Sequence, residues 1–222
     1  MLIRRLTQTA RTKILLLAGT AATLTAVGAG VAFSRGEPNT APQPRPDSIS
    51  TAYAGSAPMP DGGGHVARTD DPEAFTVSVS EVLFAWDTTA PTPLNEYTGR
   101  LLAVADPSGE ESAGLVTDLT TYLPSPESWE DLKTYETRQW IDITSYEVPG
   151  DWKSAELNGE TTDLADGTTA YTVTGLRRRT GIWQDKPAQT VDEVSFTIFM
   201  TCKPTYDTCR LLRLSQLNNP LR

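Results

Sequence analysis

Twenty consecutive residues without a charge, Ile14 to Phe33 (ILLLAGTAATLTAVGAGVAF), constrain this chain more than any other stretch of it. As a helix rising 1.5 Å per residue the run is about 30 Å long, the thickness of a bilayer's hydrocarbon core. It can therefore cross a membrane once. Arg4, Arg5, Arg11 and Lys13 precede it and only Arg35 follows soon after, so the positive-inside bias puts residues 1–13 in the cytoplasm and everything beyond the span outside. Gly30 and Ala32 also offer the small-x-small site of a cleaved signal peptide, although the apolar region of such a peptide usually runs only ~7 to 15 residues. The expectation is a single-pass protein of the cell membrane; secretion after cleavage is the alternative. Both export the rest of the chain.

Residues 34–70 read as a flexible linker. Pro38, Pro42, Pro44, Pro46, Pro58 and Pro60 alternate with Ser, Thr and Gly, and Gly62, Gly63 and Gly64 lead to His65 with no apolar periodicity to bury. Such a segment cannot offset its ordering entropy. The folded domain is expected over 71–222, long enough for one real core. Residues 1–69 hold seven Lys/Arg against three Asp/Glu, which leaves 12 against 25 for the remainder and a domain near -13. A phosphate-binding protein normally builds a basic face. No direct nucleic-acid binding is expected.

Asp71-Pro72-Glu73 supplies an N-cap, a proline at the first helical position and an acid in the first turn. Phe75, Val79, Val82, Leu83 and Trp86 then recur on one helical face. Thr92-Pro93 opens a second helix with Leu94, Tyr97, Leu101 and Leu102 on one side, and a third carries Leu115, Leu119, Tyr122 and Leu123 up to Pro124. A short turn follows from Ser125-Pro126 through Trp129 and Leu132. After Tyr135 the period changes. Trp140 to Tyr146, Ala170 to Leu176, Val191 to Cys202 and Cys209 to Leu217 are rich in β-branched and aromatic residues, and a weak strand is predicted through Trp152 and Ala155. Helices first and strands afterwards predict an α+β fold, a helical layer packed on an antiparallel meander.

Cys202 and Cys209 flank a turn holding Pro204 and Asp207. Pairing them directly across the hairpin sets Phe199 opposite Leu212 and Met200 opposite Leu211, with Arg213 opposite Ile198, where a bulge would relieve the mismatch. Export favours their disulfide over two free thiols. Metal ligation needs more Cys or His than the chain supplies. The one histidine, His65, sits in the linker, so no Ser/His/Asp or Cys/His constellation can assemble inside the domain. Asp87 and Asp142 are the carboxylates that could serve a cavity as acid or base; the simpler and preferred account is that Asp87 ends a helix and Asp142 faces solvent on a strand. Arg177, Arg178 and Arg179 form the one basic run, and on a strand alternate members face opposite sides. They read either as a solvated strand end that deters edge pairing or as a dock for an acidic partner or anionic lipid. Trp183 and Trp152 are surface anchors on one reading and core residues on the other.

Three stretches carry a resemblance: FAWDT (Phe84 to Thr88), RLLAVADPSG (Arg100 to Gly109) and CRLLRLSQLNNPL (Cys209 to Leu221). Together with the basic tail, single span and polar linker, they make residues 70–222 similar to the extracytoplasmic nuclear-transport-factor-2-like domains of bitopic conjugation and type IV secretion assembly proteins, in particular small actinobacterial ones. The resemblance implies a curved cone of helices on a sheet and a scaffold that works through protein–protein interaction. It implies other membrane components of a transfer or envelope complex as partners, leaves homo-oligomerisation open, and implies no enzymatic activity and no cofactor. Its motifs are not catalytic signatures and carry no site residue over. The same fold hosts small dehydratases and isomerases and membrane accessories of lipid-import complexes, so another envelope-associated accessory protein, or a ligand-binding or enzymatic cone, stands as the alternative.

Overall fold

Asp71 starts the first helix as its sequence demands. Its carboxylate accepts from the N–H groups of Glu73 (2.9 Å) and Ala74 (3.4 Å), and Pro72 occupies the first turn, where a missing N–H costs nothing. This is α1, Pro72–Phe84, and it opens the computed structural model, which describes residues 64–222. The predicted tail, span and linker up to residue 63 lie outside the described residues. Among the described residues no helix is long and apolar enough to cross a membrane.

Beyond α1 come β1 (Trp86–Asp87), α2 (Leu94–Leu102), α3 (Ser112–Leu119), α4 (Pro126–Thr134), β2 (Arg138–Glu147), α5 (Gly150–Leu157), β3 (Thr168–Trp183), β4 (Lys186–Thr201) and β5 (Arg210–Leu214). The strands pair in chain order, each antiparallel to the next, and the sheet curls into a half-barrel. The fold is α+β, as the change of period at Tyr135 predicts.

One face of the sheet carries the main core. Phe75, Val79 and Leu83, one face of α1, pack with Leu101 and Leu115 onto Ile141, Val173, Val194, Phe196 and Ile198 of the strands. Phe84 and Tyr122 close over Phe196 with ring centroids 5.3 and 5.6 Å away, and the Tyr122 hydroxyl donates to the Ser215 carbonyl at 2.7 Å. Each of these apolar side chains is worth roughly 1.5 to 3 kcal/mol when buried. The half-barrel interior is thus packed with side chains. The opposite face is covered at one end by α5, where Trp152 packs on Ala170, Phe199 and Leu212. A third cluster, Trp86, Tyr97 and Trp129, joins β1 to α2 and α4.

Four local readings change. The weak strand predicted through Trp152 and Ala155 is the helix α5: these two residues are its buried positions, three apart, and Pro149 precedes its first residue. Trp86 does not end α1. The backbone turns extended at Ala85 and Trp86 enters the sheet opposite Gln139. The turn from Ser125 is a full helix, capped by the Ser125 hydroxyl on the Ser128 N–H. In the hairpin closed by the Cys202–Cys209 disulfide, Met200 does pair with Leu211, but Phe199 faces Arg213 and a bulge at this point absorbs Leu212. The end of the predicted linker is also ordered against the domain: Val66 is buried, the Ala67 N–H donates to Ser78, and the Thr69 carbonyl accepts from the Cys209 N–H.

Candidate interaction surface

β3 and β4 are 16 residues each and pair without a register shift from Thr168↔Thr201 to Trp183↔Lys186. Only the first half of β3 and the second half of β4 lie over the core. The outer halves run on as an arm that pairs with β2 as far as Thr180 and is two-stranded beyond it, and every residue from Lys186 to Glu193 is exposed. The turn at the tip, Gln184-Asp185, holds both residues at positive φ (50° and 59°), the handedness that two-residue hairpins require.

Side chains alternate across the sheet, so the arm has two faces. Val173 and Val194 point into the core, hence Arg177, Arg179, Gly181 and Trp183 share the core side with Ala188, Thr190 and Asp192. Arg178 and Thr180 share the far side with Gln189 and Val191. This splits the arginine run as the sequence predicts. Arg177 donates to Asp192 at 3.2 Å; Arg178 pairs with Asp142; Arg179 donates to the Gln139 side-chain oxygen at 2.7 Å and lies 5.6 Å over the Trp86 ring. Burial, and then the neighbouring Arg177, lower the Arg179 pKa from its usual value. The three arginines therefore stitch the arm to β2 and to itself; they do not form a bare basic patch.

At the tip, Trp183 stays 56% exposed and stacks on Tyr135, itself 40% exposed, with centroids 5.2 Å apart. The Tyr135 carbonyl accepts from the Ile182 N–H at 2.7 Å. Gly181 makes this approach possible, since a Cβ there would stand 2.6 Å from that carbonyl oxygen. Leu132, Tyr135, Gly181, Trp183 and Ala188 line an open, largely apolar groove of about 250 Å³, with Arg179 at its inner end. Trp152, the other candidate anchor, is fully buried under α5.

Both candidate carboxylates lie on the face turned away from the main core. Asp142 is adjacent in sequence to core-facing Ile141 and pairs with Arg178. Asp87 alternates with buried Trp86, takes an ion pair from Arg138 at 3.2 Å, and accepts from the Thr89 N–H and hydroxyl at 2.7 and 2.6 Å. The structure does not bring the two together in a common cavity. A separate hollow of about 140 Å³ gathers Asp106, Glu110, Glu111 and Asp163. Burial raises the Asp106 carboxyl, but hydrogen bonds from Ser108 and from Tyr206 (2.5 Å) outweigh it and hold the group below the usual carboxylate range. Among the described residues no cluster of His, Cys, Asp and Glu could hold a metal ion.

Sequence reasoning finds Trp183 and the arginines but misses Tyr135 and the reach of the arm. Gln184-Asp185 lacks the glycine that marks such a turn, and Lys186 to Thr190 lacks the apolar alternation that marks a strand. No protein-family model, no curated protein and no solved structure matches the chain.

Proposed function

We propose that the chain is a membrane-anchored structural component of an envelope-spanning transfer apparatus, of the conjugation or type IV secretion kind, whose exported domain works by protein–protein contact. On this reading Ile14 to Phe33 is the span, residues 1–13 are cytoplasmic, and the half-barrel with its helices is a nuclear-transport-factor-2-like cone. The observation that carries the proposal is the arm: an exposed aromatic pair on an apolar groove, held at the end of an ion-paired hairpin beyond the core. Aromatic residues in a desolvable groove are the usual anchors of protein interfaces. The packed half-barrel interior and the outward, ion-paired placement of Asp87 and Asp142 fit the same reading. An acid working in the cone would have to face it.

Confinement to the membrane raises the effective concentration of such a component against its partners. The test replaces Ile14 to Phe33 by a cleavable export signal, so that the same domain reaches the same compartment untethered. DNA transfer between cells should then fall at least as far as in a strain lacking the protein's domain altogether. Transfer at the normal frequency from the untethered domain would refute the anchored-scaffold proposal.

A further inference from the structure

The arm leaves one strand edge open, and its backbone can be accounted for atom by atom. Ser195 and Thr197 of β4 direct their main-chain groups away from β3: the Ser195 carbonyl accepts from the Asn218 N–H (2.8 Å) and its N–H donates to the Asn218 side chain (3.2 Å), while Thr197 makes the equivalent pair with Ser215 (2.9 Å each). In an antiparallel ladder such outward residues recur every second position. The β3–β4 ladder is unbroken, so Glu193, Val191 and Gln189 also turn their N–H and C=O groups outward, as Pro187 does its carbonyl. Among the described residues β5 pairs with β4 only from Ile198 to Thr201, and no strand pairs with this edge from Lys186 to Val194.

We propose that this edge is a homodimer interface, in which β4 pairs with β4 of a second copy about a two-fold axis at Gln189. Outward residues can pair only with outward residues, which limits the registers. With Gln189 opposite its own mate, each Gln189 donates to and accepts from the other, and each Val191 N–H donates to the carbonyl of the opposing Pro187, where the missing proline N–H is the sole loss. The same register sets Lys186 opposite Asp192 on both sides of the axis, an ion pair made twice. Asp192, half exposed beside Arg177, is open to it. The adjacent allowed registers set Lys186 opposite Val194 or Thr190 and lose both pairs. Lys186 and Pro187 are residues that blunt a free edge against indiscriminate pairing; in this register each gains a counterpart, which makes the edge selective for itself. Val191, 46% exposed, then rests against Pro187 of the mate. The inference does not depend on the transfer apparatus.

The test uses the full chain in membranes and then in detergent. Backbones of a hydrogen-bonded antiparallel pair lie about 5.5 Å apart, within disulfide reach, so Gln189→Cys should give a covalent dimer on mild oxidation. Thr180→Cys, one strand further in on the same face, should not. Val191→Pro removes the donated N–H without touching the β3 ladder and should weaken dimerisation about tenfold or more. Lys186→Asp should weaken it as well, and adding Asp192→Lys should restore it. Gln189→Cys that stays monomeric, crosslinks no more than Thr180→Cys, or links instead to a different polypeptide overturns the proposal. So does slow hydrogen exchange at Gln189 and Val191 in the monomer, which would mean that the chain's own first 63 residues cover the edge.

Discussion

Arg213 shows how one side chain ties the helical layer to the last strand. Its guanidinium donates to both oxygens of Asp118 (2.6 and 2.9 Å) and to Glu111 (3.1 Å), and Asp118 also accepts from the Leu214 N–H. These acids raise the arginine pKa further. Gly114 on α3 lies directly over the group: a Cβ there would stand 2.5 Å from its central carbon. Alanine in a helix ordinarily gains about 1 kcal/mol over glycine, but overpacking a pinned group costs about 1 to 3 kcal/mol. Gly114→Ala should therefore destabilise the domain by about 1 kcal/mol, read as a lower urea midpoint; a higher midpoint would mean the guanidinium moves aside freely. Asp106 makes a second prediction. Its folded-state pKa is depressed, so the stability it contributes is present above the ordinary carboxylate range of about 4 and is lost as pH falls through the folded value. Tyr206→Phe should cost up to about 1 kcal/mol at pH 7, and thermal melts should show the gap to the parent narrowing as pH falls below the ordinary carboxylate range. A gap independent of pH would assign the tyrosine a packing role only.

At the scale of elements, what was legible followed where burial writes a period. Phe75, Val79 and Leu83 announce α1, and the strand segments from Ala170 and to Cys202 mark the covered part of the sheet, because each buries one face. The outer half of the hairpin buries little. Its pairing rests on the backbone ladder and on Arg177–Asp192, and Arg178–Asp142 ties it to β2; none of these leaves a hydrophobic signature. Trp152 and Ala155 misled for a related reason: a helix of eight that buries only these two residues among polar neighbours is too short to write a clear helical period. Trp86 falls on the same helical phase as Leu83, so periodicity alone could not end α1 at Phe84. The turn carries its own prediction. Left-handed backbone costs a non-glycine residue roughly 1 kcal/mol, and Asn-Gly suits this turn type. Gln184→Asn with Asp185→Gly should raise the unfolding free energy by about 1 kcal/mol in a denaturant melt. Destabilisation would show that the side chains at the tip hold the arm more than the turn's backbone does.

At the scale of the molecule, charge and the apolar run are read directly from the sequence, and the surface proposed for interaction is not. An acidic domain argues against a phosphate partner, and the twenty uncharged residues from Ile14 argue for export. The groove beneath Trp183 is invisible in sequence because Tyr135 and Trp183 meet across 48 residues, brought together by a hairpin whose length no local pattern records. The central claim is that the domain works through this arm and not through its carboxylates. The most direct measurement is the frequency of DNA transfer between cells for two anchored, stably folded variants, with protein levels matched. Tyr135→Ala with Trp183→Ala removes the aromatic platform, and anchors of this kind are each worth about 2 kcal/mol or more at an interface, so transfer should drop at least tenfold. Asp87→Asn with Asp142→Asn should leave transfer within about twofold of the parent, since exposed ion pairs contribute about 1 kcal/mol or less. The reverse pattern, with transfer intact without the aromatics and lost without the carboxylates, would contradict the account.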